Sequence, residues 1–148
     1  MITLIRTLGT VAVAATLLAI PMGTGQSVAF AQASCAGTTD HVNGNFDAAI
    51  PSTSNGSDNF DCIDGIGNSG PAVKEIQRSL NHCYGQNLTV DAQYGTQTSN
   101  AMKVAQRRLG LPASEQDGIY GPITRRAGFL FWGVTIQHPQ QTCGAAGF

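Results

Sequence analysis

Asp117-Gly118-Ile119-Tyr120-Gly121-Pro122-Ile123-Thr124 repeats, 26 residues on, the pattern of Asp91-Ala92-Gln93-Tyr94-Gly95-Thr96-Gln97-Thr98. Asp, Tyr, Gly and Thr coincide, and Ala101 and Ala127 extend the match. Upstream, Ile76-Gln77 and Leu80 are echoed by Ala105-Gln106 and Leu109 at an offset of 29. An Asp followed by Gly or another small residue makes a tight turn. The Tyr behind it can lie on a core with its hydroxyl outward. Gly95 and Gly121 admit the backbone angle that leads into a helix, and Pro122 fits a first helical turn. Thr98 and Thr124 fall in that turn, where their hydroxyls can bond free amides or the turn itself. Each unit reads as a loop feeding a helix, used twice.

The helices follow outward from these loops. Pro71 follows Ser69-Gly70, and Val73, Ile76, Leu80 and Cys83 then recur at helical spacing. Lys74, Glu75, Arg78 and Asn81 take the other face, which predicts an amphipathic helix of about three and a half turns. A second helix is predicted from Thr96 to Leu109, with Ala101, Val104, Ala105, Arg108 and Leu109 near one stripe and Gly110 as its stop. A third is predicted from Pro122 to Trp132, with Ile123, Ala127, Leu130 and Phe131 inward and Gly133 ending it.

The remainder of the 148 residues divides by composition. Arg6 precedes an uncharged run, Leu8 to Ile20, that is broken by Pro21 and Gly23. Ala29-Phe30-Ala31 and Ala31-Gln32-Ala33 place small residues for cleavage, so residues 1–33 read as a secretory signal peptide. The apolar run is shorter than the ~20 residues that a membrane span needs. Residues 34–70 hold 24 Ser, Thr, Asn, Gly or Asp among 37, five of them acidic, and no Lys or Arg. They read as an acidic, loop-rich arm, with short extended pieces near Asn45 to Ile50 and Cys62 to Ile66. Residues 71–134 form the helical domain, and residues 135–148 a tail carrying Cys143. From Pro71 to Phe131 seven basic residues face four acidic ones. The arm and the helices therefore carry opposite charge, either as two solvated surfaces or packed on each other.

Cys35, Cys62, Cys83 and Cys143 all follow the leader. An even number in a secreted chain favours two disulfides. Three pairings are open, of which Cys35 with Cys62 and Cys83 with Cys143 is preferred. No two Cys lie within four residues of each other, which disfavours a zinc site. Charged residues are only 11% and the net charge is -1, so no basic field for nucleic acid exists.

The run Val73-Lys74-Glu75-Ile76-Gln77-Arg78-Ser79-Leu80, the two Asp-x-x-Tyr-Gly-x-x-Thr loops, and Ala101-Met102-Lys103-Val104-Ala105-Gln106 with Gly110-Leu111 resemble the peptidoglycan-binding domain of bacterial cell-wall hydrolases. The resemblance covers about residues 71–131. It implies a compact three-helix bundle, in agreement with the helix count, and hence an all-α fold behind the stapled arm. It implies a bacterial protein held on the cell wall, with peptidoglycan as partner. Ala92 departs from the Gly usual in the family's first loop, and Ala105 from the Phe usual before Gln. Met102 or a loop aromatic is then expected to fill the space.

Catalytic constellations are missing. His41, His82 and His138 are far apart, without metal-ligand spacing. His82 reads as a surface residue. There is no Gly-x-Ser-x-Gly elbow, and Glu75 and Glu115 are the only Glu. The Asp58 to Gly65 stretch lacks calcium-loop spacing. No metal or cofactor is expected. Tyr94, Thr98, Tyr120, Thr124, Arg125 and Trp132 are the candidate ligand-binding residues: aromatics stack on sugars, and Arg and hydroxyls bond carboxylates and amides. Asp91, Gly95, Asp117 and Gly121 are read as structural. The expected protein is a secreted, monomeric, non-catalytic peptidoglycan binder of the cell wall, off the membrane once its leader is cut. The alternatives are a module acting on a secreted wall enzyme and a small hydrolase with a site in the arm.

Overall fold

The computed structural model describes residues 32–147. All but the last two residues of the expected leader lie outside them. In chain order come β1 (Gly37–Asn43), β2 (Phe46–Ser52), α1 (Pro71–Tyr84), α2 (Thr96–Arg108), α3 (Pro122–Arg126), β3 (Leu130–Thr135) and β4 (Gln141–Ala145), with a 3-10 turn at Ala113–Glu115. The strands form one antiparallel sheet in the order β1-β2-β3-β4. The all-α, three-helix expectation is thus overturned: the fold is mixed α/β.

The extended piece expected near Asn45 to Ile50 is β2, and the segment before it, expected as loop, is β1, so the arm begins with a hairpin. Phe46, Ala48 and Ile50 alternate along β2, and Ala48 and Ile50 are buried. A period of two with one buried face is what fixes a strand. β1 supplies its polar partners, Thr39 opposite Ile50 and His41 opposite Ala48. The two-residue connection starts with Gly44 at φ +62, the glycine-first arrangement of a tight hairpin. The small polar residues of β1 hide this pairing from any reading by composition. The piece expected near Cys62 forms only isolated bridges, Ser34 with Ile63 and Asp64 with Tyr120.

α3 ends at Arg126, not at Trp132. Gly128 sits at φ +91, which terminates the helix. The aromatic run behind it, Phe129-Leu130-Phe131-Trp132, has the β preference of its residue types and pairs with β4. Ile123, expected inward, is exposed. Gly133 is no stop but an interior strand residue, where a Cβ would lie 2.3 Å from the Asp47 carbonyl. The expected tail carries β4, and Cys143 stands opposite Trp132.

β2 and β3 pair only through Phe46 with Thr135 and Asp47 with Val134. Where they part, α1 takes over the hydrogen bonding. The Trp132 amide donates to Ser79 Oγ at 3.1 Å, and the Leu130 amide to Tyr84 Oη at 2.8 Å. Val73, Ile76 and Leu80 of α1 are buried with Met102 and Ala105 of α2. Beside them lies an aromatic group: Phe129 stacks on Tyr84 at 5.0 Å and meets Tyr120 and Phe131 edge-on. These rings share one buried cluster with Met102 and Ala105. Disulfides join Cys35 to Cys62 and Cys83 to Cys143, the second tying α1 to β4.

Candidate functional site

Two glutamines organise the loops. Gln77 Nε2 donates to Asp91 Oδ1 at 2.8 Å, the Gln93 carbonyl at 2.9 Å and Thr98 Oγ1 at 3.3 Å, while its Oε1 accepts the Ala92 amide. Gln106 does the same with Asp117 at 2.8 Å, the Ile119 carbonyl at 3.0 Å, Thr124 at 3.1 Å and the Gly118 amide. Each Asp also accepts the amide two residues on, closing its turn. Both glutamine side chains are buried, and a buried amide must be satisfied in this way. The Asp91 carboxyl is held below the usual carboxylate range, by the Gln77 amide first and the Gln93 amide second.

Beside each loop lies a groove. The first, about 280 Å³, is lined by Gln77, Leu88, Asp91, Gln93 and Thr98 among others. The second is about 420 Å³. Its shoulder includes Ile63, Ile119 and Ile123, and its polar wall Asp61, Glu115 and Arg126. Ile119 and Ile123 are exposed there. Arg126 reaches Asp61 at 3.1 Å, with both side chains 58% exposed. Gly121 forms part of this groove in extended backbone, so its value is not a special angle. A Cβ on it would stand 3.1 Å from Ile63 Cγ2.

The sequence-derived candidates are placed as follows. Tyr94 is buried and donates its hydroxyl to the Gly118 carbonyl at 3.0 Å, so the first loop is bonded to the second. Tyr120 is buried with its hydroxyl, not turned outward. Thr98 and Thr124 are buried at the floors of the two grooves. Arg125 is buried: its guanidinium donates to the Phe60 carbonyl and to Asp61 Oδ1 at 3.0 Å, and lies over the Phe60 ring. Asp61 thereby holds the arm to the helical domain through both arginines. Trp132 lies apart from all of these, stacked on His82 at 4.1 Å in a third cleft. Asp61, Ile119, Ile123 and Arg126 were absent from the candidates. Nothing local marks them; they meet only when residues 61–63 fold beside α3.

Under the second loop sits Asp64, fully buried, its amide and carbonyl both bonded to Tyr120 at 2.9 Å. Its carboxylate oxygens make no hydrogen bond of good geometry among the described residues, since the neighbouring Cys35 amide donates to the Ile63 carbonyl at 3.1 Å. Burial pushes its pKa up to about 7, against a smaller downward pull from the Cys35 amide. The Tyr94 and Tyr120 hydroxyls are pushed well above their usual range by burial first; the Arg125 guanidinium pulls Tyr120 partly back, and the Asp64 charge adds to both.

Residues 69–127 match the family described as "Putative peptidoglycan binding domain". These residues belong to the peptidoglycan-binding domain family. The match contains both glutamines, both loops and α1 to α3, and it stops before β3. A crystal structure of a peptidoglycan-binding protein from Clostridioides difficile, in complex with glutamine hydroxamate, is 28% identical to this chain. The similarity has a TM-score of 0.43 and covers 59% of this chain and 53% of that one, so this chain spans about half its length. No curated protein matches.

Proposed function

We propose that this chain binds peptidoglycan without cleaving it, through the groove of its second loop. The supporting observation is that the peptidoglycan-binding domain keeps both glutamine-held loops, and that the second leaves an open groove with an apolar shoulder beside a polar wall. Wall polymer presents the same combination: apolar sugar faces beside amides and stem-peptide carboxylates. Ile119 and Ile123 supply the apolar contact. Arg126 supplies a guanidinium for a carboxylate, and its exposed ion pair with Asp61 is cheap to exchange. Thr124 contributes from the floor. Tyr94, Tyr120 and Arg125 act by holding the groove in shape. The protein works as a monomer outside the cell, where an oxidising compartment keeps its two disulfides closed.

Co-sedimentation with purified sacculi tests this. Oxidised protein is expected to pellet saturably, to be released by soluble muropeptides, and to leave the sacculi uncleaved. Arg126→Ala and Ile123→Asp should each weaken pelleting by about tenfold, the loss of one charge-assisted contact or one apolar contact. Folded protein that stays in the supernatant, or muropeptides released by pure protein, would overturn the reading.

A further inference from the structure

A third cleft, of about 500 Å³, lies where the sheet meets α1. It is built mainly from elements outside the family match, since β1 to β4 all lie beyond residues 69–127. The strand register decides what faces it. Asp47 stands opposite Val42, two residues from Asp40, so the two carboxylates share one face of the sheet. Asp47 is also opposite Val134, which puts Trp132 on that same face, and Val134 is opposite Gln141. From α1 come Glu75, Arg78 and His82, a single stripe at helical spacing.

The chemistry of this cleft is specific. His82 and Trp132 stack face to face, with centroids 4.1 Å apart and planes 12° from parallel, so the imidazole braces one face of the indole. Three carboxylates face one guanidinium, and Arg78 is already held by Glu75 at 2.8 Å. An anionic polymer would be repelled. A pyranose ring suits both features, because its apolar face lies on an aromatic plane while its hydroxyls donate to carboxylates. We propose that this cleft binds an uncharged saccharide of the N-acetylhexosamine kind, with Trp132 as platform and Asp40 and Asp47 as hydroxyl acceptors. The choice of N-acetylhexosamine rests on the wall reading; the saccharide class rests on the cleft alone.

Trp132 is the single Trp of the chain, so its fluorescence reports on this cleft and nowhere else. Oxidised full-length protein is titrated with tri-N-acetylchitotriose, which carries no stem peptide. The expected result is a saturable change of Trp132 emission that does not weaken with added salt, as befits an uncharged ligand. Asp47→Asn and Asp40→Asn should each raise the dissociation constant about tenfold, one charge-assisted hydrogen bond apiece. No saturable change at millimolar sugar would overturn the proposal. So would equal binding by both Asn variants, or a salt-sensitive response to a lysine peptide in place of the sugar. Sacculus pelleting separates the two readings. A chain that binds chitotriose but does not pellet keeps the cleft and loses the wall reading; one that pellets with unchanged Trp132 emission loses the cleft alone.

Discussion

Replacing Asp64 by Asn should make this protein more stable at neutral pH, and the gain should vanish in acid. The carboxyl is fully buried, makes no hydrogen bond of good geometry among the described residues, and titrates at about 7 instead of 3.8 because burial disfavours its charged form. Between these two values the folded protein holds a proton that the unfolded chain has released. Stability from this group is therefore full below about pH 4, falls as pH rises, and is lost above about pH 7. About 3 pH units at 1.36 kcal/mol each amount to on the order of 4 kcal/mol. Asn has the shape of the protonated carboxyl and cannot ionise. Urea unfolding of the oxidised protein, followed by Trp132 fluorescence at pH 4.5, 6 and 8, measures the difference between the two chains. All other titrating groups are common to both and cancel. Between about pH 4 and pH 7 the Asn variant should gain about 1.4 kcal/mol per pH unit, with little further gain at pH 8. By pH 8 its midpoint should lie roughly 2 M urea higher, with an unchanged slope. A difference that does not change with pH, or a wild type that is the more stable at pH 8, would refute the reasoning.

Two further outcomes follow from backbone and cross-links. Ala92 holds φ +60, the position at which the second loop has Gly118. An L-residue there costs about 1–2 kcal/mol, and glycine's freedom in the unfolded chain returns roughly half of that. Ala92→Gly should therefore raise stability by about 0.5–1 kcal/mol, a few degrees in melting temperature; a lower melting point would contradict the assignment. Opening Cys83–Cys143 by the double Ser variant releases a separation of 60 residues and should cost about 4 kcal/mol in chemical denaturation.

What was legible in the sequence depended on whether a residue's partner was local. α1 and α2 are visible because their buried stripes repeat within one helix, and Gly110, at φ +72, marks the end of α2. The loops are visible because Asp, Tyr, Gly and Thr recur together, although the glutamines that hold them, Gln77 and Gln106, lie on the preceding helices. Of the sheet, only the extended piece near Asn45 to Ile50, which is β2, was visible. The sheet's period of two is carried by Phe46, Ala48 and Ile50 in one segment and Phe129 and Phe131 in another, far apart in sequence. Phe131 satisfies a helical stripe as readily as a strand, and only Gly128 separates the two readings. The site suffered the same way. A Tyr or Arg in a repeated motif looks like a ligand contact until Asp64 and Phe60, from the arm, are seen packed against it.

The sheet is part of the helical domain's core, not an appendage to it. α1 sends Ser79 Oγ and Tyr84 Oη to the amides of Trp132 and Leu130, and its Cys83 to Cys143 of β4. Phe129 and Phe131, beyond the end of the family match, are buried against Tyr84 and Tyr120 within it. Arg125 of α3 is likewise bonded to Phe60 and Asp61. Each of these contacts satisfies a buried polar group or covers apolar surface that residues 69–127 alone would leave in water, at about 25 cal/mol per Å² exposed. Ala105 is fully buried in the same cluster as Phe129, Phe131 and Met102, so a larger side chain there would have to compete for occupied volume, and overpacking a core is itself destabilising.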